Sequence, residues 1–147
     1  MKKLLGILLF MAMGWGLTAQ TVNDLNAEKR NVGSFHGIDV GTGIELLLTQ
    51  GNTEEVAVSA ATPEFRDRII TRVENGILKI QYETKTGAIN KTKENKELKA
   101  YVSCKTLDRL HASTGAEVKI SGVLQSASLD MEANTGATIL GQVDLGS

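Results

Sequence analysis

Six carboxylates fall on segments that read as strands: Asp39, Glu45, Asp108, Glu117, Asp130 and Glu132. Paired carboxylates are the chemistry of glycoside hydrolysis, which needs two of them about 5–9 Å apart across a groove. Glu45 and Glu117 each follow a Thr-Gly dipeptide and are expected to point outward, but a third copy of the pattern has Thr138 in that place. Outward acids on a strand ordinarily keep a surface soluble, and the sequence builds no groove around these. A metal site fares no better. His36 and His111 lie far apart, and the sequence has neither Cys/His ligand spacing nor a glycine-rich, Asp-bearing calcium repeat, so both histidines are expected at the surface. The one cysteine, Cys104, shares a strand face with Leu98, Ala100 and Val102 and reads as a buried apolar residue. A thiol nucleophile would need a base that neither histidine is placed to supply. With no Gly-x-Ser-x-Gly elbow and no phosphate loop, the sequence carries no catalytic, metal or cofactor site and argues against an enzyme.

The frame that would position these residues begins with export. Met1 to Trp15 places Lys2 and Lys3 ahead of an uncharged apolar run, and Ala19 supplies the small residue before a cleavage point, so residues 1–19 read as a secretory signal peptide. The run is shorter than the ~20 apolar residues a spanning helix wants, so no membrane span is expected after cleavage. The whole chain of 147 residues has 16 basic and 17 acidic groups; losing Lys2 and Lys3 leaves a mildly acidic protein. That balance excludes a nucleic-acid surface, which needs a basic excess or stripe. Fifteen glycines against one proline imply many tight corners.

After a polar lead over 20–33, short runs of period two follow one another. Ile44 to Thr49 and Glu55 to Ala60 alternate as strands, with breaks at Gly41-Thr42-Gly43 and Gly51-Asn52. Thr62-Pro63-Glu64 offers an N-cap, a first-turn proline and an acid, which predicts a short helix near 63–68. Asn75-Gly76 is the strongest hairpin dipeptide in the chain, because both residues tolerate the positive φ of a type I′ turn. Residues 83–97 are polar, of mixed charge, and read as a solvated loop. Among the aromatics, Phe35 and Phe65 read as core anchors, leaving Tyr82 and Tyr101 as rings that could face outward.

The C-terminal part repeats. Ala112 to Val118 aligns with Ala133 to Ile139 at an offset of 21, and Gly41 to Leu46 is a third copy. The pairs Thr42-Gly43, Thr114-Gly115 and Thr135-Gly136 read as corners between two strands of one coil, with glycine supplying a positive φ at no steric cost. A period near 20 residues falls in the solenoid range. The expectation is an all-β, right-handed parallel β-helix or β-solenoid, with a hairpin-containing N-terminal part, over 34–147.

The leader, Phe35 to Val40 running into Ile44 to Gly51, the Val73 to Ile80 hairpin and the Leu107 to Gly122 copy together resemble the head GIN domain family. That family comprises exported bacterial proteins of unknown function, common in the Bacteroidetes and labelled auto-transporter adhesins. The resemblance implies the solenoid fold and carries no catalytic or ligand residues. Family members run through further Thr-Gly or Ser-Gly coils, whereas this chain reaches Ser147 in mid-pattern, so it reads as truncated or as pairing through an open C-terminal edge. The functional expectation is a non-catalytic binding or structural module at the cell envelope, in the periplasm, on the outer membrane or outside the cell. Adhesion to envelope or host glycans or proteins would be its task. The alternatives are a β-helix carbohydrate-active enzyme, of polysaccharide lyase or glycosidase type, and a self-assembling architectural module.

Overall fold

The computed structural model describes residues 24–84 and 95–146. The signal peptide read at 1–19 and the middle of the polar loop lie outside the described residues. Eleven strands and one short helix occur in the order β1 (Glu28–Arg30), β2 (Gly37–Val40), β3 (Glu45–Gln50), β4 (Glu55–Ser59), α1 (Pro63–Arg66), β5 (Ile69–Glu74), β6 (Ile77–Tyr82), β7 (Lys99–Cys104), β8 (Arg109–Ala112), β9 (Glu117–Gln125), β10 (Asp130–Ala133) and β11 (Thr138–Asp144) among the described residues. One sheet has the order β1-β4-β7-β3-β9-β11 and the other β10-β8-β2-β6-β5.

Alternation explains the core. Ile38, Val40, Leu78, Ile80, Leu110 and Ala112 of the second sheet pack with Leu46, Leu48, Val56, Val58, Ala100, Val102 and Val118 of the first in one buried cluster. The residues between them point to the other face of each sheet, as a period of two requires, and on β4 and β7 Ala57 and Tyr101 are buried there in a second small cluster with Ala27 and Leu47. Cys104 belongs to this core, and its burial pushes the thiol up to about 11, so it is protonated and inert at neutral pH.

The architecture corrects the β-helix expectation. The chain forms two mixed sheets packed in the manner of a β-sandwich, with no closed coil among the described residues. Antiparallel pairs β1/β4, β4/β7 and β5/β6 occupy one end of the two sheets. A solenoid needs each coil to lie beside the next in sequence, but here β7 pairs with β3 from the opposite side to β9, although it lies between them in the chain. The physical cause lies in 51–82. The Gly51-Asn52 break and the Asn75-Gly76 turn reverse the chain, so this stretch folds back instead of advancing by one coil.

Parallel pairing is confined to the repeated copies and their neighbours. Arg109 to Ala112 pairs with Asp130 to Ala133, and Glu117 with Thr138, at a constant offset of 21. The register breaks only at Leu140/Gln142. At that break Gly141 has φ +146, and a Cβ there would lie 2.5 Å from Ile120 Cβ. Helix α1 begins where its signals stand, with the Thr62 side chain accepting from the Phe65 N–H at 3.2 Å.

A segment read from sequence as polar lead contributes structure. Asp24 to Arg30 runs along the first sheet: β1 adds to β4, and Arg30 donates to the carbonyls of Ile69 (2.8 Å) and Arg66 (3.2 Å), tying the end of one sheet to the other. The Asp24 carboxylate accepts from the hydroxyls of Ser59 and Tyr101. Tyr101 is therefore covered, at 6% exposure, and does not present its ring to solvent. Burial, then the bond to Asp24, pushes its phenol well above the ordinary value. Burial alone would push Asp24 up, but its bonds from Tyr101, Ser59 and the Asn26 N–H outweigh that and hold it below the usual carboxylate range.

Candidate functional site

The three Thr-Gly pairs lie at the turns that pass from the second sheet to the first. Thr42 (φ 56), Thr114 (φ 51) and Thr135 (φ 53) are all left-handed, as are Gly43, Gly115 and Gly136 after them. Each turn is closed by a bond across it: Ile44 N–H to Gly41 O, Ala116 N–H to Ser113 O and Ala137 N–H to Asn134 O. Positive φ at both central positions is the pattern of a type I′ turn. The turns are also stacked. The Gly43 N–H donates to Thr114 O at 2.9 Å, and the Gly115 N–H donates to Thr135 O at 3.0 Å. The sequence argument assigns positive φ to glycine, yet the threonines share it, at a steric cost for a β-branched residue.

Asn75 (φ 53) and Gly76 (φ 79) form the hairpin turn between β5 and β6. His36 docks on that turn: its N–H donates to Gly76 O at 2.8 Å, and its ring leaves no room for a side chain at 76.

The first two of these Thr-Gly turns border an open cavity of about 630 Å3. Thr42, Gly43 and Gly115 form part of its wall, and Glu45 and Glu117, directly paired in register at the starts of β3 and β9, form another. Phe65 from α1, Arg68 after it, Tyr82 at the end of β6, Lys96 and a third carboxylate, Glu97, complete the charged and aromatic lining. Lys96 Nζ lies 5.5 Å from the Phe65 ring centroid and 5.9 Å from that of Tyr82, within cation–π range of both. Tyr82 is 9% exposed, and its hydroxyl has no hydrogen-bond partner among the described residues. Glu45 is engaged by Lys119 Nζ at 2.9 Å.

Of the acids read from sequence, the cavity brings together Glu45 and Glu117 and leaves the others on the outer face of the second sheet. There Asp39 accepts both Nε (2.8 Å) and Nη2 (3.1 Å) of Arg109 and lies 3.7 Å from Lys79. His111 sits between Asp130 (3.2 Å) and Glu132 (3.6 Å) on the edge strand, close enough for ion pairing but not aligned for hydrogen bonds. Asp108 pairs with the half-exposed His36 at 2.9 Å. Each of these carboxylates thus has a basic neighbour. No group of three His, Cys, Asp or Glu suited to a metal ion occurs among the described residues.

Four lining residues escaped the sequence reading. Phe65 reads as a core anchor and is only partly buried; Tyr82 reads as an outward ring and is buried; Arg68 and Lys96 carry no motif at all. Their proximity depends on the β5/β6 reversal, and no local spacing encodes it.

Residues 34–147 match the family described as "Putative auto-transporter adhesin, head GIN domain". A solved structure of a putative adhesin from Bacteroides fragilis superposes with TM-score 0.61 at 21% identity, covering 77% of this chain and 50% of that one. A putative adhesin from Parabacteroides merdae gives 0.65 at 16%, covering 80% and 50%. A putative lipid binding protein from Parabacteroides distasonis gives 0.59 at 20%, covering 75% and 47%. The chain therefore spans about half the length of these structures, and at such identities the likeness is one of fold. No curated protein matches the chain. No helix among the described residues is long and apolar enough to cross a membrane. The family match covers more than three quarters of the sequence, and the chain belongs to the head GIN domain family.

Proposed function

We propose that this protein acts without catalysis at the cell envelope, as an exported adhesion module that holds a glycan or protein ligand on a rigid sheet surface. The observation that carries the reading is the stacked row of Thr-Gly turns, locked by backbone bonds from one strand pair to the next, beside an open cavity that mixes charges and aromatic rings. A fixed backbone lowers the ordering cost of binding, which suits contacts that are individually weak. The family label and the adhesin names of its structural neighbours point the same way. Export, implied by the leader at 1–19, would put the surface where such contacts occur.

A hydrolase reading is weaker. Glu45 and Glu117 do border one cavity, but Lys119 engages Glu45 as a counter-ion. The test is a binding screen of the purified exported protein on immobilised glycans and matrix proteins, run alongside a hydrolysis assay on the same glycans. Saturable binding to a subset, with no product released, is the expected result. Silence on every surface at high concentration would refute adhesion, and product release that Glu117→Gln abolishes would replace it with an enzyme.

A further inference from the structure

We infer that the cavity beside the Thr-Gly turns is a binding site for an acidic saccharide, a polyhydroxylated ring bearing a carboxylate. This deepens the adhesion reading and rests on it for the ligand's presence at the cell surface. Three features of the cavity define the ligand. The first is Tyr82, a lining residue at 9% exposure whose hydroxyl is shut off from solvent and has no partner among the described residues. A buried hydroxyl without a partner is costly, and a ligand oxygen would satisfy it.

The second is cationic. Arg30, Arg66, Arg72, Lys79, Arg109 and Lys119 all lie within 4 Å of a carboxylate. Arg68 and Lys96, both in the cavity wall, have no such partner among the described residues, as Lys29, Lys99 and Lys105 elsewhere have none, and Lys96 rests over two aromatic rings instead. A ligand carboxylate drawn between them would pull the Lys96 ammonium off the rings and open the way to the Tyr82 hydroxyl. Arg68 supplies the planar fork that suits a carboxylate.

The third is a set of carboxylates: Glu45 and Glu117 stand side by side, and Glu97 also lines the cavity. They are acceptors: Lys119 engages Glu45 at 2.9 Å, while Glu97 and Glu117 have no basic side chain within 4 Å among the described residues. A ligand must therefore offer an anionic group to the cations and hydroxyls to the carboxylates. Inorganic phosphate supplies the charge, but its O–H donors sit on the same phosphorus as that charge and cannot serve the cations and the carboxylates apart. A neutral sugar supplies the hydroxyls and leaves Arg68 and Lys96 unused. The cavity, at about 630 Å3, is within the range of small-ligand sites.

The experiment titrates the exported protein, observed by amide NMR, with an oligogalacturonate trimer, a hyaluronan tetrasaccharide and sialyllactose. The methyl ester of each acid and inorganic phosphate serve as controls. At least one acid should bind saturably, its ester about tenfold more weakly, and phosphate should not compete. Tyr82→Phe keeps the ring and removes only the hydroxyl; it should weaken binding about tenfold while leaving the spectrum folded. Lys96→Gln, outside any strand, provides the same test should Tyr82→Phe fail to fold. Binding of no acid at millimolar concentration, equal binding of acid and ester, displacement by equimolar phosphate, or indifference to both substitutions would each overturn the assignment. Saturable trimer or tetrasaccharide binding by a protein that attaches to no surface would refute adhesion and leave the site standing. Attachment that survives both substitutions would refute the site and leave adhesion.

Discussion

Threonine in the left-handed region at three successive turns is a local cost carried by the stacked backbone bonds around it. Asparagine tolerates that φ far better, so Thr114→Asn should stabilise the fold by about 0.5–1 kcal/mol, read as a higher urea midpoint at unchanged slope. Gly76 lies at the other extreme. At φ +79, with a Cβ that would sit 2.4 Å from His36 Nε2, Gly76→Ala must strain the turn and displace the imidazole from Asp108. A loss of about 1–2 kcal/mol is expected in the same assay. Asp24 makes stability depend on pH. Its folded value lies below the ordinary 3.8, so its contribution is complete above that pH and drains away as acid carries the protein through the lower, folded value. Asp24→Ala should cost about 1–2 kcal/mol at pH 7, and the gap between variant and parent should close in acid denaturation series below pH 4. Glycine at the turns was legible in the sequence from its φ tolerance. The threonine strain was not, because it arises from a turn geometry that only pairing across the sheets enforces.

At the scale of elements, local signals and the structure agree wherever the cause is local. Thr62 and Pro63 start α1, and Asn75-Gly76 joins β5 to β6. Period-two alternation also separates the faces correctly from Ile38 to Val118. Strand β1 could not be read, since Glu28 to Arg30 has no apolar alternation and is held by distant partners: Arg30 by Ile69 and Arg66, its neighbour Asp24 by Tyr101 and Ser59. The same remoteness hides the Gln50 clamp. Its side-chain amide donates to Lys105 O (3.0 Å) and Gln125 O (2.9 Å) and accepts from the Gln125 N–H (2.8 Å), joining the ends of β3 and β9 to the turn after β7. Gln50→Ala should cost about 1–2 kcal/mol and speed amide hydrogen exchange at Gln125 more than at Val118, which keeps its strand partners.

Across the whole molecule, the repeat offset of 21 was legible, and it survives as the pairing of β8 with β10 and of β9 with β11. The order of the sheets was not, because the reversals in 51–82 place later strands beside earlier ones, and no periodicity in the sequence records which edge a returning strand will join. The result is two mixed sheets with an open cavity at the first two Thr-Gly turns. The outer face of the second sheet is different in kind: Asp39, Asp108, Asp130 and Glu132 each lie near a basic side chain, and it has no comparable set of cations without carboxylate neighbours. The most direct measurement compares attachment of cells producing the protein with attachment of cells lacking it, across surfaces coated with glycans and matrix proteins. Attachment should fall on at least one acidic-glycan surface when the protein is missing and return when it is restored. Equal attachment on every surface, with the protein exported and folded, would contradict the account.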